Sequence, residues 1–270
     1  MNRYRLLTIT DMHLDDRHYG NLEKGVNAHQ PDLVACVGDF LCLSDPPRPG
    51  KRITVAEAAD RIGHLPAPTV FTRGNHEEEN WHEFVKHWPH KLKPLTCLHA
   101  SSETFGPLTV IGFPCTLGND IPWLTTLPLQ GNTVTPNDPM RKALRQSPGY
   151  NHNKWCKALL RSTGPAGRAC WLMHIPPAGL PICHPDNHNP WFGDLVTHYQ
   201  PKLVISGHDH STPLRNNAWY VKDGETYCLN AGQGNLETFY IIADFFFEKE
   251  AALPSKIEIT RMPDGQRLII

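Results

Sequence analysis

An α/β fold with two sheets packed face to face and helices outside is what this sequence predicts, on three observations. Short apolar, β-branched runs alternate with helical spacing over the first part of the chain, each run stops abruptly at a polar cluster, and strands follow with little helix after residue 212. The 270 residues, 40% of them hydrophobic, suffice to bury a large core, so a single domain spanning residues 1–270 is expected.

The elements follow in order. RLLTIT at 5–10 and DLVACV at 32–37 read as strands, with a helix from about residue 22 to 29 between them; this β-α-β opening calls for parallel pairing. TVAEAADRIGHL at 54–65 has helical spacing with Thr54 as its cap, and TVFT at 69–72 is the next strand. NWHEFVKHW at 80–88 places Trp81, Phe84, Val85 and Trp88 on one helical face, a core-packing stripe. LTVIGF at 108–113, ACWLM at 169–173 and LVIS at 203–206 are further strands that end at a polar switch. Segments 218–221, 226–229, 238–247 and 256–262 have little helix between them and are expected to form an antiparallel second sheet. Prolines gather with Gly and Asn at 46–50, 114–149 and 176–190, which marks long surface loops; the stretch at about 114–150 is a loop-rich insertion that shapes the pocket or an interface.

Bulk chemistry excludes several classes. Lys plus Arg (26) balances Asp plus Glu (27), so the basic excess needed to clamp extended nucleic acid is missing. No apolar run reaches the roughly 18 residues of a membrane span. Eight cysteines without a C-x-x-C pair read as thiols of a reducing compartment, and the expected location is the cytoplasm. Cys42 and Arg48 match the C-x₅-R spacing of a cysteine phosphatase, but Pro46 and Pro47 remove backbone donors that such a loop needs. There is no G-x-S-x-G elbow and no G-x-x-x-x-G-K-[ST] loop, and GQGNLE at 232–237 lacks the third glycine of a dinucleotide fingerprint.

The polar clusters at the strand ends carry the functional reading. After successive strands come Asp11 and His13, Gly38 and Asp39, Arg73 to Glu77, His174, and Gly207 to His210. The carboxyl edge of an α/β sheet is where binding sites assemble, so these segments can converge. Asp11, Asp39 and the Asn75 amide offer oxygen, while His13, His174, His208 and His210 offer nitrogen, a mixture suited to manganese, iron or zinc. Seven ligands exceed one tetrahedral zinc, and a shared carboxylate can join two ions. Such a pair, about 3.5–4 Å apart, activates water and clamps a phosphoryl group. His76, left over beside Asn75, can protonate the departing oxygen.

In this order, D-x-H, G-D, G-N-H-[DE], H and G-H-x-H resemble the motifs of the calcineurin-like metallophosphoesterase superfamily, from Asp11 to the end of the chain. The resemblance implies a metallophosphoesterase-type β-sandwich of two mixed sheets flanked by helices, a four-layer αββα fold. It implies that Asp11, His13, Asp39 and His210 hold one ion, that Asp39 (bridging), Asn75, His174 and His208 hold the other, and that His76 is the catalytic acid. The expected cofactors are two divalent or trivalent transition-metal ions, manganese first, with iron or zinc as alternatives. The expected reaction is hydrolysis of a small phosphodiester or phosphomonoester by direct attack of a metal-bound hydroxide. ITDMHL at 9–14 is similar to class III cyclic nucleotide phosphodiesterases, and HIPPAG at 174–179 to small phosphodiesterases with H-x-P-P-x-G, so a cyclic nucleotide or other small diester leads. GDFLCLS at 38–44 departs from the G-D-x-x-D-R-G of protein serine/threonine phosphatases and symmetrical dinucleoside tetraphosphatases. Nucleotide pyrophosphate-bond hydrolysis and a non-catalytic scaffold of the same fold are the alternatives.

Among the neighbours, Asp209 reads as a solvated or ligand-supporting carboxylate, and Glu77 to Glu79 as offsetting the positive end of the following helix. His184, His188 and His198 read as loop histidines bordering the pocket, His18 and Asn21 as residues on a loop within reach of substrate, and Arg73 as meeting a phosphate oxygen or bracing its loop.

Overall fold

Strand β2 (Leu33–Val37) is buried at every position. Its alternation explains why: Leu33, Ala35 and Val37 enter one apolar cluster, Val34 and Cys36 another. A strand that is apolar on both faces needs cover on both sides. The first cluster lies between two sheets and also takes Leu172, Leu203, Ile205 and Leu229. The second lies under three helices, α1 (Asp16–His29), α2 (Val55–Gly63) and α3 (Glu78–His87), through Leu22, Ile62 and Phe84. A third packs Trp171, Met173 and Val204 against Cys156 of α4 (Pro148–Thr163) and Phe192 and Val196 of α5 (Pro190–Tyr199). Each fully buried Leu or Val contributes about 1.5–3 kcal/mol, and the result is the four-layer αββα sandwich that the sequence predicts.

The computed structural model describes residues 2–41, 50–113, 148–234 and 236–270. The Cys42 to Arg48 pair and nearly all of the expected insertion at 114–150 lie outside the described residues.

One sheet has seven strands in the order β13 (Gln266–Ile269), β12 (Lys256–Met262), β11 (Tyr240–Phe247), β1 (Asn2–Ile9), β2, β3 (Thr69–Thr72) and β4 (Thr96–Cys97). The other has six, in the order β5 (Ser101–Phe105), β6 (Leu108–Phe113), β7 (Cys170–Met173), β8 (Leu203–Ser206), β10 (Thr226–Asn230) and β9 (Tyr220–Asp223). β1 to β4 run parallel, as do β6, β7, β8 and β10; the remaining pairs are antiparallel, so both sheets are mixed.

The C-terminal strands depart from expectation: they make no sheet of their own. β9 and β10 extend the six-stranded sheet, with Cys228 opposite Val204, while β11 to β13 extend the seven-stranded one, with Ala243 opposite Leu6. β1 has an open edge on the side away from β2, and β11 closes it while sending Ile241, Ala243, Phe245 and Phe247 into the cluster between the sheets. Helix α1 also starts earlier than its apolar period suggests. Asp15 caps it, and Arg61 of α2 reaches Glu23 (2.6 and 2.8 Å) and Asp16 (2.6 Å), so polar contacts hold the first turns. Thr54 caps α2 as expected, in a reciprocal capping box with Glu57. Among the described residues, no helix is long and apolar enough to cross a membrane.

Candidate metal centre

The parallel strands of both sheets deliver their carboxyl ends to one seam. Asp11 and His13 follow β1, Asp39 follows β2, Asn75 and His76 follow β3, His174 follows β7, and His208 and His210 follow β8. Two groups of side chains form there: Asp11, His13 and His210, and Asp39, His174 and His208. In the first, His210 Nε2 lies 3.1 Å from both His13 Nε2 and Asp11 Oδ1. In the second, His174 Nε2 lies 3.2 Å from Asp39 Oδ2, and Asn75 Oδ1 lies 3.1 Å from His174 Nε2 and 3.1 Å from His208 Nδ1. All seven ligand residues expected from the sequence are therefore brought together. His76 stands exposed at their margin, its backbone N–H donating to Asp39 Oδ1 (3.1 Å) and its ring centroid 6.4 Å from that of His13.

The donor set fits cations. The His174 Nδ1–H donates to the Val37 carbonyl (2.9 Å), an acceptor only, which makes Nε2 the ring nitrogen turned toward Asp39 and Asn75, where a bound cation would take the place of its proton. Nitrogen and oxygen atoms of imidazoles, carboxylates and an amide thus face inward, 3.1–3.2 Å from one another. Ligand atoms around an ion with bonds of about 2.1 Å stand roughly this far apart.

The backbone is strained to achieve this. Asp11 (φ 55), His13 (φ 49), Asp39 (φ 51) and His208 (φ 68) all occupy the left-handed region, where a non-glycine residue costs on the order of 1–2 kcal/mol. Gly207 allows a close approach: a Cβ there would collide with Thr10 Oγ1 and the Asp11 carboxylate. The His208 backbone N–H uses the gap to donate to Asp11 Oδ2 (3.0 Å), fastening the second sheet to the first.

Electrostatics follow from burial and pairing. Burial opposes the charge on Asp11, but His210, His174 and His13 outweigh it and hold the carboxyl well below the usual range. The same balance, led by His174 after burial, holds Asp39 down. Burial disfavours a charged His174, yet Asp39 and Asp11 raise it to about 10, while burial and the neighbouring His174 push His208 down to about 4. Asp11 and Asp39 therefore stay charged in the seam, where a cation would displace the His174 proton.

Several supporting residues differ from the sequence reading. Glu77 does not simply offset the α3 helix end. It is fully buried and turned back into the seam, accepting from the backbone N–H groups of Asp39 (2.8 Å), Leu41 (3.1 Å) and Gly74. Burial, with Asp39 beside it, pushes Glu77 up to about 7. Asp209 is not solvated either: it accepts from the backbone N–H groups of His184 (2.7 Å), Ser211 (3.2 Å) and Thr212 (3.0 Å), supporting the turn between His208 and His210. His18 is fully buried in α1, its Nδ1 2.7 Å from Thr238 Oγ1, and Asn21 bonds the same hydroxyl at 2.9 Å, so both serve packing rather than substrate. Arg73 is buried with its guanidinium carbon 5.6 Å above the Trp81 ring, the loop-bracing position. His184 and His198 are exposed, and His184, His188 and His198 stand outside both candidate metal-binding groups.

Two buried amides complete the support of the seam. Asn230, fully buried at the end of β10, donates from Nδ2 to the carbonyls of Ile182 (3.1 Å), Gly207 (3.1 Å) and Asp209 (3.0 Å). Gln233 donates to the Thr10 carbonyl (3.0 Å) and accepts from the Phe239 N–H (2.9 Å). The sequence marks them only by the short LNAG stretch at 229–232 that ends β10 and leads into Gln233.

A helix-flanked double sheet with two histidine–carboxylate groups at its seam defines a class of protein: αββα, with two candidate metal positions. The chain belongs to the calcineurin-like phosphoesterase family, whose model matches residues 4–212, and the family supports a phosphoric ester hydrolase that uses divalent metals. No curated protein matches it significantly. Among solved structures, it is similar to a dimetal phosphatase from Danio rerio at 10% identity and a TM-score of 0.62, covering 99% of this chain and 98% of that one. It is also similar to a protein of Thermus thermophilus at 13% identity and a TM-score of 0.58, covering 89% and 94%. The anchor in the inner membrane complex of Plasmodium is similar at 9% identity and a TM-score of 0.51, covering 97% and 84%. At these identities the likeness is one of fold.

Proposed function

We propose that the protein is a dinuclear metal-dependent phosphoesterase acting on a small phosphodiester or phosphomonoester, with the diester favoured and manganese as the leading metal. One observation carries the reading: two histidine–carboxylate groups, with Asn75 shared between His174 and His208, face inward at one seam. Asp11, His13, Asp39 and His210 would hold one ion, and Asp39, Asn75, His174 and His208 the other, with Asp39 common to both. When bound, two such ions supply an activated water and a clamp for phosphoryl oxygens. The chain's own contribution is positional. The Val37 carbonyl holds the His174 tautomer, Glu77 and the His208 N–H hold the Asp39 and Asp11 turns, and exposed His76 delivers a proton to the departing oxygen. A nucleotide pyrophosphate bond is an alternative substrate with the same requirements. The scaffold reading is weaker, because the inward-facing ligand set is complete. Buried free thiols among the described residues suit the reducing cytoplasm.

Metal-stripped protein is expected to lose hydrolysis of bis-p-nitrophenyl phosphate and p-nitrophenyl phosphate and to regain it with Mn²⁺. Silence with every metal tried would leave the scaffold reading. His76→Ala is expected to keep both metals and slow turnover by roughly 10²–10⁴-fold, most for poor leaving groups; equal slowing of good and poor leaving groups would remove its acid role.

A further inference from the structure

Beside the centre the surface opens into a cleft of about 480 Å³, lined by His208 and His210, one from each metal-ligating group, and by Asn187, Ser211, Arg215 and Gln233. The polar groups of this wall are unequally engaged. Gln233 has both ends of its amide on backbone, at Thr10 and Phe239. Asp209, also in the wall, is 4% exposed, and three backbone N–H groups and Asn187 Nδ2 (3.4 Å) surround its carboxylate, so its charge is already answered. Arg215 is different. It is exposed, its Nη2 is held by a neutral partner, Thr212 Oγ1 (3.0 Å), and among the described residues no carboxylate pairs with it. Arg5, Arg17, Arg61 and Arg261, by contrast, each close on a carboxylate.

We propose that this cleft receives the part of the substrate that is not hydrolysed, and that Arg215 selects phosphoesters carrying a second phosphate there. The inference rests on the metal-dependent hydrolysis proposed above. With the reacting phosphoryl group at the seam, the cleft that the described residues form past His208 and His210 leads the rest of the molecule along the Arg215 wall. A guanidinium is a planar fork of donors that matches two phosphate oxygens, and it is permanently charged. With the cleft's one buried carboxylate neutralised by its donors, nothing in the described wall competes for that fork.

The test uses a matched pair of diesters on the manganese-loaded protein: the p-nitrophenyl ester of thymidine 5′-phosphate, and the same ester with a 3′-phosphate. The wild type is expected to favour the phosphorylated ester by about tenfold in kcat/KM, the lower end for a hydrogen bond to a charged group. Arg215→Gln is expected to bring that ratio close to one with an unchanged unfolding midpoint, and Arg215→Lys to retain part of it, having the charge without the fork. A wild-type ratio of one, or an Arg215→Gln ratio as high as the wild type's, would overturn the assignment. Failure of the loaded protein to hydrolyse either ester or bis-p-nitrophenyl phosphate would instead reject the phosphoesterase reading, and the role of the cleft with it.

Discussion

The two sheets meet at the seam with unlike chemistry and are braced in opposite ways. The seven-stranded sheet contributes the candidate oxygen ligands Asp11, Asp39 and Asn75 together with His13; the six-stranded sheet contributes only imidazoles, His174, His208 and His210. In the turns of the first, backbone N–H groups of Asp39, Leu41 and Gly74 point inward, and a buried carboxylate, Glu77, accepts all three. In the turns of the second, carbonyls of Ile182, Gly207 and Asp209 point inward, and a neutral amide, Asn230, donates to all three. A brace is chosen by the polarity of the backbone it must satisfy, because an unmet buried donor or acceptor costs about 1–3 kcal/mol. Asp11, His13 and Asp39 on one side and His208 on the other are held in left-handed conformations.

That contrast can be broken at its two anchors and at the bolt between them. The largest effect is expected for Asn230→Asp, which turns a donor into a charged acceptor facing three carbonyls. A loss of about 4 kcal/mol in urea unfolding is predicted, several unmet or repelling groups at once; a loss no greater than that of Asn230→Ala would show that donor polarity is not what matters. Glu77→Gln is expected to cost less, about 2 kcal/mol, since the amide keeps one accepting oxygen and turns an NH₂ toward a backbone N–H. Unfolding curves of the metal-free protein measure it, and an unchanged midpoint would deny Glu77 its bracing role. The smallest effect belongs to Gln233→Ala, which removes the bond from the second sheet's end to the Thr10 carbonyl: about 1–2 kcal/mol, with metal content retained as the check that the seam still closes.

Much of this centre was legible from residue types. D-x-H, G-D, G-N-H-E and G-H-D-H each follow an apolar strand, and strand ends on the carboxyl edge share a location whatever the details of the fold. Glu77 departs from the expectation for a helix end for a physical reason. It sits where a helix N-terminus would welcome a carboxylate, but the unmet N–H groups of a turn from β2 lie nearer and are buried, so the tertiary demand wins. The division of the C-terminal strands between the two sheets was hidden because an alternating apolar pattern states which face is buried and not which edge it joins.

What the sequence by itself determined is the alternation of strands and helices in the first half and the ligand chemistry at each strand's end, because both depend on a few neighbouring side chains. Which open edge β11 closes, whether a turn offers donors or acceptors to the seam, and that Arg215 faces a cleft without a carboxylate partner among the described residues were decided only by the tertiary structure. Each depends on segments far apart in the chain, whose backbone polarity and edges become neighbours only after the sheets have packed.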